Sequence, residues 1–220
     1  MRIAVCGTKG GSGKSTLAGL LALCFADAGK KVCAIDQDPQ ATLTTWLRSV
    51  GGKPAPWGEG RKELEEVYRT WTCVGEWGKN ESPSDKHIWI NDFPPASPQV
   101  LLKMLGRADY PTANGKQYEL YDYLLIPCRP AVADIWSIRS FLAELDGYNA
   151  KVRLVMNALD NSLMSKAGSI ESLLEGVKTP RTKATLSRRT CYSVSMVSGW
   201  KALDEKAKSE VLSLALELSR

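Results

Sequence analysis

The chain has 220 residues, of which 44% are hydrophobic and 24% are charged, and its formal net charge is +5. This length suits a single α/β domain, residues 1–220, with a sizeable core, and the hydrophobic content is ordinary for a globular protein. No apolar run reaches the roughly 20 residues that a membrane helix needs, and the sequence begins directly with a predicted strand, so we expect neither a membrane span nor a signal peptide.

The first elements in chain order are a strand, a glycine-rich loop and a helix. Residues 2–6 form a short apolar run typical of a buried strand, and residues 15–28 carry leucines on one helical face before Gly29. Between them, residues 7–15 fit the phosphate-loop pattern G-x-x-x-x-G-K-[ST]. Because strand and helix both flank the pattern, a chance match in a glycine-rich turn is the weaker interpretation.

The chemistry of this loop predicts a site that binds the phosphates of a nucleotide together with Mg²⁺. Glycines let backbone N–H groups point at a phosphate, and the helix N-terminus adds a partial positive charge. Lys14 can bridge the outer phosphates, and the Ser15 hydroxyl can hold Mg²⁺. An ordinary phosphate loop needs only Lys14, and this one also contains Lys9. The predicted nucleotide-binding residues of the loop are Gly10, Gly11, Ser12, Gly13, Lys14, Ser15 and Thr16.

The second predicted strand, residues 31–35, is followed at once by Asp36 and Asp38. Carboxylates at the carboxyl end of a strand, beside a phosphate loop, lie where open α/β sheets bind ligands. A second interpretation makes Asp38 the cap of a helix with Pro39 as its first residue. The two interpretations are compatible.

The next segment, residues 50–86, is rich in glycine, proline and tryptophan and breaks the regular pattern. We expect a surface insertion here, with a short helix over residues 61–71, and a second irregular patch over residues 107–117. The tryptophans of the first segment either contact a partner or cover an edge of the core.

Three further strands are predicted downstream. Residues 87–95 form an apolar run that ends in Asp92 and a proline pair, residues 123–127 end in Ile126 and Pro127, and residues 153–157 end in Asn157. Alternation of strands and helices predicts a doubly wound, mostly parallel sheet with helices on both faces.

The C-terminal part of the chain is basic. Residues 178–208 contain eight positive and two negative side chains, a balance of +6 against +5 for the whole chain. Such a cluster attracts a phosphate backbone without reading sequence, although a solvated charged face is the simpler interpretation of a charge run taken alone. Residues 202–218 predict an amphipathic closing helix that packs on the core.

The six cysteines form no C-x-x-C pair, so neither a zinc site nor a redox pair is indicated, and with one histidine there is no His-rich metal site. Several cysteines fall on predicted buried elements, where a thiol behaves as a small hydrophobic group. We expect a cytoplasmic protein in a reducing compartment.

The loop of residues 9–16 together with the acidic turn of residues 36–40 resembles the deviant Walker A ATPases of the ParA/MinD superfamily, and most of all the small, ParF-like plasmid-partition ParA proteins. The resemblance implies a P-loop ATPase that dimerises on ATP. It also implies catalytic roles for Lys9, which reaches into the partner's site, for Lys14, and for Asp38, which positions the attacking water. Asp36 would lie near the Mg²⁺ shell.

The later strands extend the resemblance. Asp92 would hold the water shell of Mg²⁺, although family members usually have an apolar residue where Asn91 stands. Pro127 matches the end of a family strand near the nucleotide, and Asn157 would contact the adenine, with a simple turn residue as the alternative.

The resemblance also implies non-specific DNA binding by the dimer, which makes Lys183, Arg188 and Arg189 the candidate contacts, and a nucleoid-associated location. The implied task is plasmid segregation with a small centromere-binding partner that resembles ParB. The alternative is a conjugation factor of the StbB-like type that positions a transfer complex. A MinD-like membrane-bound ATPase and a nitrogenase-type iron–sulfur reductase are disfavoured, because the closing helix lacks aromatic residues and no paired cluster cysteines are evident.

Overall fold

A seven-stranded sheet organises the chain in the computed structural model, which describes residues 1–55, 70–77, 84, 86–105, 121–145, 151–159, 172 and 174–220. The strands are β1 (Arg2–Val5), β2 (Val32–Asp36), β3 (Lys53–Pro54), β4 (Thr70–Val74), β5 (Ile88–Asp92), β6 (Tyr123–Cys128) and β7 (Lys151–Met156). Their order across the sheet is β3-β4-β2-β5-β1-β6-β7. The five strands from β2 to β7 in this order are parallel, whereas β4 runs antiparallel to β2 and β3 antiparallel to β4.

Helices cover both faces of the sheet, as predicted. The helices are α1 (Lys14–Asp27), α2 (Thr42–Ser49), α3 (Pro98–Leu105), α4 (Val132–Glu144), α5 (Thr190–Ser198) and α6 (Glu205–Leu218), with a short 3₁₀ turn over Trp200–Ala202. On β1, Ile3 and Val5 join the core under α1, α2, α5 and α6, while Ala4 joins the core under α3 and α4. Successive side chains of a strand point to opposite faces, so β1 is buried on both sides and reads as one apolar run.

The parallel strands end at one edge of the sheet, and this edge positions the candidate site. The phosphate loop follows β1, Asp36 closes β2, Asp92 closes β5, and Asn157 follows β7. Ligands of open α/β sheets bind at this carboxyl edge. The sequence motifs that were predicted separately therefore converge here.

Two local predictions were wrong. Residues 53–54 and 70–74 are strands of the sheet rather than parts of a surface insertion, and Trp71 lies in β4 instead of ending a helix. Pairing with β2 buries Thr72 and Val74 against the helical layer. This stabilisation comes from a strand that is distant in sequence, so no local pattern predicts it. Residues 61–69 and 107–117 lie outside the described part of the chain.

Helix α2 begins at Thr42 with Ala41 at its N-cap, so Asp38 does not cap it and Pro39 is not its first residue. Asp38 Oδ1 instead accepts a hydrogen bond from Gln40 N at 2.9 Å, which closes a tight turn after β2.

The closing helix is confirmed as a core element. Asp204 caps α6 by accepting from Ala207 N at 2.8 Å, and Val211, Leu214 and Leu218 are buried in the cluster that also contains α1. Within the described residues, no helix is long and apolar enough to span a bilayer.

Candidate functional site

The phosphate loop requires glycine at two of its positions. Gly11 and Gly13 have φ angles of 72° and 92°, in the left-handed region that side chains disfavour. A methyl group on Gly13 would also lie 2.0 Å from Asn157 Nδ2. Gly13 is the N-cap of α1, so the loop delivers the chain directly into the helix N-terminus. Backbone N–H groups at such a terminus are the anion-binding element of phosphate loops.

Asn157 anchors the loop from the end of β7. Its Nδ2 donates to Ser12 O at 2.8 Å, and its Oδ1 accepts from Ala158 N at 2.8 Å. Both polar atoms of the side-chain amide therefore form hydrogen bonds within the chain. This loop contact was not expected from the sequence, and adenine binding by Asn157 stays a prediction.

Lys14 is buried at the floor of the loop, with 6% of its surface exposed. Its Nζ donates to Lys9 O at 2.9 Å. Burial lowers the pKa of Lys14, while the nearby carboxylates of Asp92 and Asp38 favour its charged form. The position and charge of Lys14 suit a lysine that neutralises phosphate.

Asp36 organises the acidic turn. Its carboxylate accepts from Asp38 N at 3.0 Å and from Thr44 N at 2.9 Å. Burial raises the pKa of Asp36, and these backbone hydrogen bonds work against that increase. Asp36 thus fixes the turn that carries Asp38 and holds the first turn of α2.

Asp92 is fully buried, and neither of its carboxylate oxygens has a hydrogen-bond partner among the described residues. Burial raises its pKa to about 7, although the neighbouring Ser15 hydroxyl and Lys14 favour the charged form. An unpartnered buried carboxylate costs free energy unless a cation or a proton compensates it.

These residues fit Mg²⁺. Hydroxyl and carboxylate oxygens such as those of Ser15 and Asp92 are its preferred protein ligands, with water and phosphate oxygens completing the shell. The described part of the chain has no cluster of three or more His, Cys, Asp or Glu side chains that could hold a metal unaided.

Lys9 forms an ion pair within its own chain, which no sequence pattern predicted. Its Nζ forms an ion pair with Asp134 Oδ1 of α4, and Arg129 Nε pairs with the other oxygen of the same carboxylate at 2.5 Å. Burial of Asp134 opposes ionisation, but the hydrogen bonds from Arg129 and Lys9 lower its pKa overall. Thr8 Oγ1 also donates to Ser137 O of α4 at 2.8 Å, so α4 fixes this side of the loop.

The remaining predicted nucleotide-binding residues line the same edge of the sheet. Gly10 is exposed at the loop tip, Thr16 is half-buried in the first turn of α1, and Pro127 is buried in β6. Pro127 lies beyond the last residue of β6 that pairs with β1, so its missing N–H leaves no gap in that ladder.

The candidate DNA contacts differ in their availability. Lys183 and Arg188 are exposed. Arg189, in contrast, donates to the Glu210 carboxylate through Nε at 3.2 Å and Nη2 at 2.6 Å and is 22% exposed. The three residues lie in the segment that leads into α5, which begins at Thr190 with Arg189 as its N-cap.

A family model described as the CobQ/CobB/MinD/ParA nucleotide binding domain matches residues 3–195. The chain is 26% identical to Protein ParA of Rhizobium radiobacter over 227 residues, which cover 98% of this chain and 90% of that protein. It is also 56% identical to the carbon monoxide dehydrogenase accessory protein CooC of Rhodospirillum rubrum over 45 residues, which are 20% of this chain and 17% of that relative.

Solved structures share the fold. The septum site-determining protein MinD of Pyrococcus horikoshii OT3, complexed with Mg-ADP, aligns with a TM-score of 0.66 at 16% identity and covers 100% of this chain and 96% of its own. The structure of pNOB8 ParA bound to nonspecific DNA aligns with a TM-score of 0.56 at 16% identity and covers 100% of this chain and 97% of its own. At these identities the likeness concerns the fold alone.

Proposed function

Because the chain belongs to the CobQ/CobB/MinD/ParA nucleotide-binding family, we propose that it is an ATP-dependent dimer switch that hydrolyses ATP slowly and positions DNA. The observation that carries the proposal is the pairing of a complete phosphate loop with a buried, unpartnered Asp92 beside Ser15. A Mg²⁺–nucleotide complex supplies the cation and the oxygen ligands that this carboxylate lacks.

Nucleotide binding would rest on the loop. Its backbone N–H groups and Lys14 would hold the phosphates, and Ser15 and Asp92 would hold Mg²⁺. The metal neutralises charge that develops on the phosphoryl oxygens. Asn157, through its hydrogen bond to Ser12 O, keeps the loop in the conformation that receives the phosphates.

Hydrolysis would need an oriented water and one more positive charge. Asp38 is the candidate for orienting the water, since Asp36 holds its backbone N–H and fixes the turn. Lys9 is the candidate for the charge, supplied to a second subunit. In the single chain, Lys9 is paired with Asp134. Dimerisation would have to break this ion pair so that Lys9 can contact phosphate in the partner's site. A site completed in trans makes hydrolysis depend on dimerisation.

The output of the switch would be DNA positioning. The basic surface around Lys183 and Arg188 would contact DNA without reading its sequence, as the pNOB8 ParA structure contains nonspecific DNA. The proposed task is plasmid segregation with a small centromere-binding partner, in the cytoplasm and on the nucleoid, and the likeness to Protein ParA supports a ParA-type ATPase.

Two lysine variants test the proposal. Lys14→Ala should abolish ATP binding, measured by equilibrium titration with a fluorescent ATP analogue. Lys9→Ala should keep substantial binding but lose phosphate release. Lys30→Ala, an exposed lysine beyond the end of α1, is the matched control and should change neither property. Undiminished ATP binding by Lys14→Ala would refute the nucleotide site.

A mixing experiment tests the second subunit. Lys9→Ala and Asp38→Ala are each expected to be inactive alone. In an equal mixture half of the dimers are mixed, and each of these has one site with both residues, so about a quarter of wild-type activity should return. If Lys9 instead acts within its own chain, no site is complete and no activity returns.

A further inference from the structure

Two cysteines lie directly opposite each other in the antiparallel part of the sheet. Cys33 of β2 pairs in register with Cys73 of β4. Their side chains lie on the sheet face away from α1, with Cys33 packed beside Ile35 and Trp89. Cys33 is fully buried, and Cys73 is 6% exposed.

The hydrogen bonds on either side of this pair define its geometry. Lys31 O accepts from Ile88 N at 3.0 Å, so the peptide groups of Lys31 face β5. Trp71 O accepts from Ala55 N at 3.1 Å, so those of Trp71 face away from β2. Peptide groups of alternate residues point the same way along a strand, and Cys33 and Cys73 are each two residues further on. Both cysteines therefore direct their peptide groups away from each other.

The two cysteines consequently form a non-hydrogen-bonded pair of the antiparallel ladder. In such pairs the Cα atoms are about 4.5 Å apart and the side chains approach most closely. Disulfides span Cα separations of about 4.4–6.8 Å. The backbone thus already meets the main requirement for a bond between the two sulfur atoms, at the short end of the range.

The register places the two thiols side by side on this face of the sheet. Burial raises the pKa of the Cys33 thiol, and the neighbouring Cys33 thiol lowers the pKa of Cys73. Cys73 is therefore the better nucleophile of the two, since the thiolate is the reactive form. In the described residues, β4 is paired on its outer side by the two-residue strand β3, whose residues Lys53 and Pro54 are both exposed. Local separation of so short an edge strand gives a small oxidant access to Cys73.

We propose that Cys33 and Cys73 are a peroxide-sensitive dithiol that closes reversibly to a cross-strand disulfide between β2 and β4. The Cys73 sulfur attacks one peroxide oxygen, so an S–O bond forms, the O–O bond breaks and water leaves. The Cys33 sulfur then attacks the Cys73 sulfenic acid, the S–S bond forms, the S–O bond breaks, and the hydroxyl leaves as water with the Cys33 proton. Two thiols and one hydrogen peroxide give one disulfide and two waters. This oxidation requires the folded chain but not its nucleotide chemistry.

Peptide mapping of the oxidised wild-type protein tests this directly. The folded chain is treated with hydrogen peroxide, remaining thiols are alkylated, and the protein is digested without reductant and analysed by mass spectrometry. The expected result is loss of both free thiols at positions 33 and 73 and a linked peptide pair that is lighter by two hydrogen atoms than the two reduced peptides. Dithiothreitol should separate the pair.

Cys191 provides the matched control, because it is the half-buried cysteine of the chain and the other five are buried. If exposure alone governed oxidation, Cys191 would react first and Cys33 and Cys73 would stay alkylatable, which would overturn the proposal. Cys191→Ser should leave the linked pair unchanged. Cys73→Ser and Cys33→Ala should each abolish it, and formation of the pair only after unfolding in urea would also refute the native geometry.

Discussion

At the scale of single residues, Glu210 is the centre of a hydrogen-bond network that no sequence motif indicated. Its carboxylate accepts from Ser187 N at 3.0 Å, from Ser187 Oγ at 2.7 Å and from Tyr192 OH at 2.6 Å, besides the guanidinium of Arg189. These bonds tie the segment before α5 to α6. Arg189, which the charge pattern presents as a free cation, is therefore a structural partner in this fold.

Glu210→Gln should destabilise the protein at neutral pH. Burial raises the pKa of Glu210, but the hydrogen bonds from Arg189, Tyr192 and Ser187 outweigh burial and lower the pKa to about 2. A depressed pKa stabilises the fold above the unfolded value of 4.5, and that contribution is lost as pH falls through about 2. We expect a loss of about 2 kcal/mol at pH 7, since part of the carboxylate is screened by water.

Urea unfolding across pH measures this effect. The difference in unfolding free energy between wild type and Glu210→Gln should shrink as pH falls from about 4.5 towards 2. Glu205→Gln is the control, because Glu205 is 92% exposed and makes only a surface pair with Lys208 among the described residues. A difference that stays constant with pH would contradict the assignment.

At the scale of elements, the strands that end at the carboxyl edge of the sheet could be predicted from the sequence, and β4 could not. Strands β1, β2, β5 and β6 are buried on both faces, so the sequence of each is a short apolar run next to a recognisable motif. Residues 70–74 instead alternate between two faces over only five positions, with a charged stretch over residues 61–69 before them and Gly75 after them. Their burial depends on pairing with β2, which lies far away in the sequence.

The same distinction applies to the candidate site. Lys14, Ser15 and Asp92 belong to local patterns, so they could be proposed as site residues from the sequence. The ion pair of Lys9 with Asp134 joins residues 125 positions apart, and the Asn157 bond to Ser12 joins residues 145 positions apart. No local pattern encodes such contacts, because they arise only when the sheet brings its strand ends together.

The packing of α1 on α2 gives a prediction at this scale. A methyl group on Gly19 of α1 would lie 2.1 Å from the Trp46 ring, and that ring is fixed by a hydrogen bond from its Nε1 to Ser195 O at 2.9 Å. Alanine is the better helix former by about 1 kcal/mol. Overpacking a core typically costs about 1–3 kcal/mol, so Gly19→Ala should lower the unfolding free energy.

A double-mutant cycle measured by urea unfolding tests this clash. Trp46→Leu removes the ring that the added methyl group meets. Gly19→Ala should therefore cost less in the Trp46→Leu background than in the wild type. A Gly19→Ala protein at least as stable as the wild type would show that the two helices separate without strain.

At the scale of the whole molecule, the two proposed functions involve different parts of the fold. The phosphate loop, Asp38 and Asp92 lie at the carboxyl edge of the parallel strands. The basic surface lies on the segment that leads into α5 and carries Lys183 and Arg188. The chain carries a net charge of +5, and residues 178–208 hold an excess at least as large. We therefore expect the proposed DNA binding and the proposed nucleotide chemistry to be separable by mutation.

The double variant Lys183→Ala/Arg188→Ala should weaken binding to DNA of unrelated sequence, measured with ATP and Mg²⁺ present. Each phosphate contact contributes through counterion release, so the slope of log K against log salt should become shallower by about 2. Both side chains are exposed, so the unfolding free energy should not change. Arg189→Ala should instead lower stability, because it leaves the Glu210 carboxylate without its cation. Lys30→Ala is the control for charge alone. An unchanged salt slope in the double variant would show that DNA, if bound, contacts another surface.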